Sequence, residues 1–406
     1  MKIQSAVLRQ AGLARPYSAS QPLRWESLEL ADPGPGEVRV KVRAAGLCHS
    51  DLSTINGSRL RPTPMAIGHE AAGEIVAVGP GVTDRRIGEH VVLTFVPTCG
   101  SCEFCAEGRP ALCGPGAAAN GAGELLAGGR RLRTIGGSAT AGTDGSGTAA
   151  GLGADAKGAS GAKVPSEEVH HHLGVSAFSE HVVVSTRSVV PIDPELPWEI
   201  AALFGCAVLT GVGAVVNAAR VTPGESVAIF GLGGVGLAAL LGAVAAGAQP
   251  IVAVDRVSEK LALARELGAT TVIAADDGVD VAAAVRAATG GGVHHAIETV
   301  GSAAVLAQAY AATRRAGQTT TVGLPDPSAQ LQIPAVTITA EERTIRGSYL
   351  GSCVPQRDIP RFVALYRAGR LPVDRLLSHR LAPDQVNEGF ERLAAGEGVR
   401  QVVVFP

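Results

Sequence analysis

The chain has 406 residues, 35 of them basic and 37 acidic, and a formal net charge of −2 at pH 7. That balance gives no long-range pull toward nucleic acid or an anionic membrane surface, and the length suits about two domains, each with its own core. The opening MKIQSAVLRQAGLARPYS has no apolar core, and the longest apolar run, LAALLGAVAAGA from Leu237, is shorter than the ~20 residues that cross a bilayer.

The expectation is a soluble cytoplasmic protein. Thiols stay reduced in that compartment, so clustered cysteines there hold metal more often than they form disulfides. The first half of the chain is punctuated by Gly, Pro and Asp. PGPGEVRVKVRAAGLCHSDL and GHEAAGEIVAVGPGVTDRRIGEHVVLTFVP read as short alternating strands of antiparallel β structure. Cys48 and the pair His69–Glu70 stand at the ends of such strands, where a turn exposes side chains. Cys206 follows much later, in LFGCAVLTG. Two thiolates and one imidazole suit a catalytic zinc with an open fourth position, although a single buried cysteine is usually a small core residue.

Four of the seven cysteines lie in CGSCEFCAEGRPALC, as Cys99-x2-Cys102-x2-Cys105-x7-Cys113. Four thiolates make a closed tetrahedral set, which reads as a structural metal site fixing a lobe with little core of its own. A redox motif would need only two cysteines. A nucleic-acid-binding ribbon would carry more basic residues than Arg109, which here accompanies Glu103 and Glu107.

Glycine is abundant, with 52 residues, and much of the excess forms an insertion over about 115–165. Its later part, from GGSATAGTDGSG, has almost no bulky apolar residue to offset ordering entropy. A long mobile loop is expected, interrupted by a short strand around Arg131 to Ile135. Of His170, His171 and His172, adjacent on an extended segment, all three cannot face one ion. Cys353 reads as a packing residue.

From Ser226 the rhythm changes. SVAIF, IVAVD, TTVIAA, HHAIETV and TTTVGLP are strand-like runs, separated by helical stretches near 237, 258–267, 280–288 and after Ser302. This alternation predicts an α/β, doubly wound parallel sheet covered on both faces. Gly231, Gly233 and Gly236 form GxGxxG between the first strand and its helix, and Asp255 closes the next strand 19 residues after Gly236. The glycines allow a tight turn, close approach of a pyrophosphate and close helix packing. The phosphates then meet a helix N-terminus. Asp255 should bind the adenosine ribose diol, favouring NAD over NADP, with Arg256 as a neighbour able to soften that preference.

GHEAAGEIVAVGPGV, the four-cysteine lobe, GCAVLTG, GLGGVG and EGFERLAAGEGVRQVVVF together resemble the zinc-dependent medium-chain alcohol dehydrogenases, over Gln4 to Phe405. The branch most similar holds the class III and bacterial aryl-alcohol enzymes. The segment before HHHLGVSAFSEH is longer than its counterpart there.

The resemblance implies a GroES-like antiparallel β catalytic domain built from 1–207 and 350–406, and a Rossmann NAD-binding domain over 208–349. It implies two zinc ions per chain, a catalytic one on Cys48, His69 and Cys206 and a structural one on Cys99, Cys102, Cys105 and Cys113. A zinc-bound alkoxide would pass hydride to the nicotinamide and its proton through Ser50. Asp51 and Glu70 would orient and tune the metal site. His49, Thr210, Lys260 and Arg400 would contact the cofactor, and Phe95 the substrate. Ser53 stands where some members have a shuttle histidine.

The implied activity is reversible oxidation of a primary, including aromatic, alcohol to the aldehyde. Oxidation of a thiol–formaldehyde adduct is the alternative. A homodimer or homotetramer is expected, with TTTVGLP as the last strand of its sheet and the edge that pairs across a two-fold axis.

Overall fold

The computed structural model describes residues 1–136 and 166–406. Two largely antiparallel β assemblies, each with one parallel pair, occupy the first half. Strands Lys2–Leu8, Leu23–Leu30, Leu132–Thr134, Glu168–His171 and Met65–Ala66 close into a small barrel. Beside it a seven-stranded sheet centres on Glu37–Gly46, which pairs with Ala71–Val78 along its whole length. Every second residue of Glu37–Gly46, including Val38, Val40 and Val42, is fully buried. That alternation is what a half-covered antiparallel strand requires. The chain's last strand, Arg400–Val404, returns to this sheet and pairs with the same central strand, Val403 opposite Ala45.

The other half is a six-stranded sheet with every strand parallel. Across it run Thr271–Ala274, Ile251–Asp255, Val227–Phe230, Val293–Glu298, Thr313–Thr321 and Thr344–Gly347. Val227–Phe230 is buried at every position, as in sheets covered on both faces. Chain order reverses on either side of this strand, and ligands of doubly wound folds bind beyond its C-terminal end. Helix Gly234–Ala245 follows directly. It is apolar almost all round because it is wedged between the sheet and helix Ala207–Gly213.

Three expectations need correction or limits. TTTVGLP is not at the sheet edge: Thr344–Gly347 pairs outside Thr313–Thr321 and forms the edge itself. Its TIRG sequence is short and largely exposed, so no apolar run marks it as a strand. The glycine-rich stretch placed at 115–165 opens on a helix, Gly114–Ala122, and not on a loop. Three consecutive alanines favour helix, Pro115 sits at its start, Cys113 Sγ accepts from the Gly116 N–H, and Gly123 ends it in the left-handed region. The short strand is present as Leu132–Thr134, while residues 137–165, where the mobile loop was expected, lie outside the described residues.

Candidate active site

Cys48 ends the strand Glu37–Gly46 region and caps the helix His49–Ile55. Asp51 Oδ2 accepts the Cys48 N–H at 3.2 Å, which starts the helix. Its other oxygen, Oδ1, accepts from His69 Nδ1 at 2.8 Å. One carboxylate three residues beyond Cys48 therefore sets both the helix start and the imidazole. With the proton held on Nδ1, His69 Nε2 offers a lone pair, and this atom is buried without a partner. Cys206 stands at the start of helix Ala207–Gly213. The donor atoms of Cys48, His69, Glu70 and Cys206 all lie within 4.8 Å of one another.

This donor set fits zinc. Two sulfurs, an orphaned imidazole nitrogen and almost complete burial leave no bland role for His69 Nε2. Sharing one hydrogen between the sulfurs holds Cys48 well down and Cys206 well up. A divalent cation would let both remain thiolates.

Glu70 forms an ion pair with the Arg400 guanidinium, both groups buried. Burial pushes the Glu70 carboxyl up to about 7, against the pull of Arg400. Gly46 makes room for this pair: a Cβ there would sit 2.1 Å from Glu70 Oε1. Arg400 also lies against the glycine turn, so that a Cβ on Gly234 would meet its Cδ at 2.3 Å.

The turn itself matches its fingerprint. Gly231 has φ +90, outside the range most side chains tolerate, and a Cβ on Gly236 would fall 1.8 Å from the Gly231 carbonyl oxygen. Gly233 is different, because nothing lies within 4 Å of where its Cβ would be. That open space is the cradle a phosphate needs at the N-terminus of helix Gly234–Ala245. Asp255 braces the turn, accepting from Leu232 N–H at 2.6 Å and Val257 N–H at 2.9 Å. Arg256 points away and pairs with Asp277 on the surface.

A cavity of about 410 Å³ joins these parts. Cys48, Cys206, Ser50 and Phe95 line one end, and Gly233, Asp255 and Lys260 the other, with His49, Thr210 and Arg400 also on its walls. His69, Glu70 and Asp51 stand behind the sulfurs, buried to 0 % exposure. Walls of protein around His49, with Lys260 and Arg400 nearby, hold its pKa below the usual histidine range.

Sequence reasoning passed over His172. Its Nδ1 lies 3.1 Å from Asp51 Oδ1 and its Nε2 3.4 Å from Thr54 Oγ1, so it flanks the carboxylate that orients His69. The three-histidine run was the signal, but the three side chains diverge. His171 accepts from the Arg131 N–H at 3.1 Å, and His170 accepts from Arg130 Nε at 3.1 Å. Tyr349 was also missed; its ring meets Phe95 edge-on at 6.0 Å, and Phe95 meets His69 edge-on at 5.2 Å. Cys353 is buried, its Sγ directed at the Leu209 carbonyl, as a packing residue would be.

In the lobe, the sulfurs of Cys99, Cys102, Cys105 and Cys113 lie within 4.8 Å of one another. Backbone N–H groups of Ser101 and Cys102 pull the Cys99 thiol down to about 6, while burial pushes Cys105 up to about 12. The two cannot ionise alike without a cation. The closed sulfur set fits a tetrahedral zinc with no open coordination position.

Two family profiles match. Residues 34–139 match the alcohol dehydrogenase GroES-like domain and residues 234–368 the zinc-binding dehydrogenase domain. The NDMA-dependent alcohol dehydrogenase of Amycolatopsis methanolica is 37% identical, the match covering 100% of this chain and 99% of that protein. The chain belongs to the zinc-dependent medium-chain alcohol dehydrogenases. It is thus an oxidoreductase of the alcohol dehydrogenase type.

Within this family, the putative alcohol dehydrogenase D of Mycobacterium tuberculosis is 38% identical with both chains covered in full. The crystal structure of benzyl alcohol dehydrogenase from Acinetobacter calcoaceticus superposes with a TM-score of 0.86 at 31% identity, again covering 100% of both chains. No helix among the described residues of this alcohol dehydrogenase is long and apolar enough to cross a membrane.

Proposed function

We propose that this enzyme oxidises primary alcohols, aromatic ones included, to aldehydes with NAD, and runs in reverse on aldehydes. The observation that carries the reading is the convergence of Cys48, Cys206 and the orphaned Nε2 of His69 at one end of a cavity whose other end is the glycine turn. In this reading residues 1–207 and 350–406 carry both zinc sites, and 208–349 carry the nucleotide.

When bound, zinc supplies a Lewis acid that can draw a hydroxyl pKa from ~16 to near 7, and the nicotinamide supplies the hydride acceptor. The protein's own groups do the rest. Cys48, His69 and Cys206 would hold the catalytic zinc, with Asp51 fixing the ring of His69 and Glu70 adding negative charge behind it. Ser50 faces the cavity and takes the alcohol's proton. Ser53, on the same helix, offers that proton a route to water. Phe95 and Tyr349 give an aromatic ring an edge-to-face seat. Asp255 sets a carboxylate where a 2′-phosphate would come, which favours NAD. Thr210, His49, Lys260 and Arg400 hold the rest of the dinucleotide. The second zinc, on Cys99, Cys102, Cys105 and Cys113, fixes the lobe and takes no part in turnover.

The test is absorbance of the reduced nicotinamide across ethanol, longer aliphatic alcohols, benzyl alcohol and thiol–formaldehyde adducts. Each is run with NAD and NADP, and with and without NDMA, the compound in a relative's name. Turnover of benzyl alcohol with NAD supports the reading. Activity confined to a thiol adduct replaces the substrate, and turnover that requires NDMA replaces the free-NAD cycle.

We also propose a homo-oligomer. Thr344–Gly347 is a free sheet edge among the described residues, and helix Val336–Ala340 beside it in sequence exposes Val336 and Ile338.

A further inference from the structure

One arginine lines the substrate end of the cavity, and a second, two positions on, is tied to the wall behind it. Arg59 lines the cavity with Cys48, Cys206, Phe95 and Tyr349. Its backbone N–H donates to Ser53 O at 2.8 Å, which ties it to the helix that begins at the Cys48 cap. Arg61 donates through Nη1 to the Asn120 carbonyl at 3.0 Å, and Asn120 Nδ2 donates to the Phe95 carbonyl at 2.8 Å. The second guanidinium is therefore anchored to the same pocket wall. Its Nε is buried and has no partner. Among the described residues no carboxylate pairs with either arginine. The acids that line the cavity, Asp255 and Glu397, belong to its nucleotide end, beside the glycine turn and Lys260.

Such a placement is costly by itself. Burial lowers the Arg61 pKa, and Arg59 lowers it further. Burial raises the Tyr349 phenol, and both arginines pull it back; Arg59 shares the cavity wall with Tyr349. Two like charges two positions apart, one partly desolvated, with no carboxylate paired to either among the described residues, leave a site that an anion would complete. A guanidinium pair matches the planar carboxylate best.

We propose that Arg59 and Arg61 bind an anionic group, a carboxylate first of all, at the end of the alcohol remote from the reacting hydroxyl. The inference rests on the alcohol dehydrogenase reading above and names its substrate class: hydroxymethyl compounds that carry a negative charge.

The test compares zinc-loaded enzyme on benzyl alcohol, 4-(hydroxymethyl)benzoate, 4-(hydroxymethyl)phenyl phosphate and 4-(aminomethyl)benzyl alcohol. The carboxylate is expected to exceed benzyl alcohol in kcat/KM by about 10- to 100-fold, the range of a charge-assisted hydrogen bond. The phosphate arm shows whether the site takes anions generally or carboxylates alone. Arg59→Gln and Arg61→Gln should each remove most of the carboxylate-to-neutral ratio, and Arg59→Glu should turn the preference toward the amine. Calorimetric titration with 4-methylbenzoate and 4-methylbenzamide, neither of which can be oxidised as an alcohol, reads the site without turnover. Equal affinity for these two, or a ratio untouched by Arg59→Gln and Arg61→Gln together, overturns the proposal. Tight 4-methylbenzoate binding without oxidation of any alcohol would instead overturn the dehydrogenase reading and leave the anion site standing.

Discussion

Glu70 and Arg400, 330 positions apart in the chain, form a buried ion pair that sets the metal-ligand cluster against the glycine turn. Breaking such a pair from one side strands the other charge, at a typical cost of about 3–5 kcal/mol. Arg400→Met should therefore lower the thermal midpoint and weaken NADH binding, read by fluorescence titration. The double variant Glu70→Gln/Arg400→Met should recover much of the lost stability but not the cofactor affinity. Equal melting of Arg400→Met and the wild type would remove the ion pair from the account.

Gly233 and Gly236 separate binding from folding. Gly233→Ala fills open space, so stability should hardly change while NADH affinity falls at least tenfold, as a methyl group occupies the phosphate cradle. Gly236→Ala drives a Cβ onto the Gly231 carbonyl and should destabilise the fold itself. Calorimetric unfolding beside NADH titration distinguishes the two; unchanged affinity in folded Gly233→Ala would place the phosphates elsewhere.

Elemental analysis should find two zinc ions per chain. Cys48→Ser should remove one and abolish turnover, with NADH binding largely kept. Cys105→Ser should remove the other and loosen the lobe, seen as earlier proteolysis near residue 105. A stoichiometry that stays at two in either variant would contradict the ligand assignment.

His171 sets an acid limit. It is buried and neutral, accepting from the Arg131 N–H and donating through Nδ1 to Ser176 Oγ at 3.1 Å, and burial pushes its pKa down to about 3. The unfolded chain takes up this proton near pH 6.5. The neutral ring's contribution is thus complete above pH 6.5 and falls progressively between there and pH 3, by up to about 1.4 kcal/mol per pH unit. His171→Gln should flatten the stability profile across that window. A denaturant midpoint that tracks the wild type from pH 7 to 4 would assign acid lability to another group.

Ile345 lies on the edge strand and Ile338 on the helix before it. Ile338→Lys should shift the assembly toward monomer in analytical ultracentrifugation, with each chain still binding zinc. An unchanged sedimentation coefficient would move the interface off this edge.

The sequence by itself carried the elements whose physics is local. Continuous apolar strands, the GLGGVG turn with its acid one strand later, and four cysteines in one short loop need few distant partners to declare themselves, because backbone geometry and metal chemistry constrain neighbouring residues. Cys48, His69 and Cys206 suggested a zinc site as a set, and resemblance gave them their roles, since each taken alone is an ordinary buried residue. Tertiary structure alone decided that Asp51 serves a helix start and an imidazole together, and that His172 rather than His170 or His171 faces it. It also placed Arg400 on Glu70, brought Arg59 beside Tyr349, and put the exposed TIRG strand outside TTTVGLP. These relationships join segments tens to hundreds of residues apart, and burial, which sets their strength, exists only once the chain has folded.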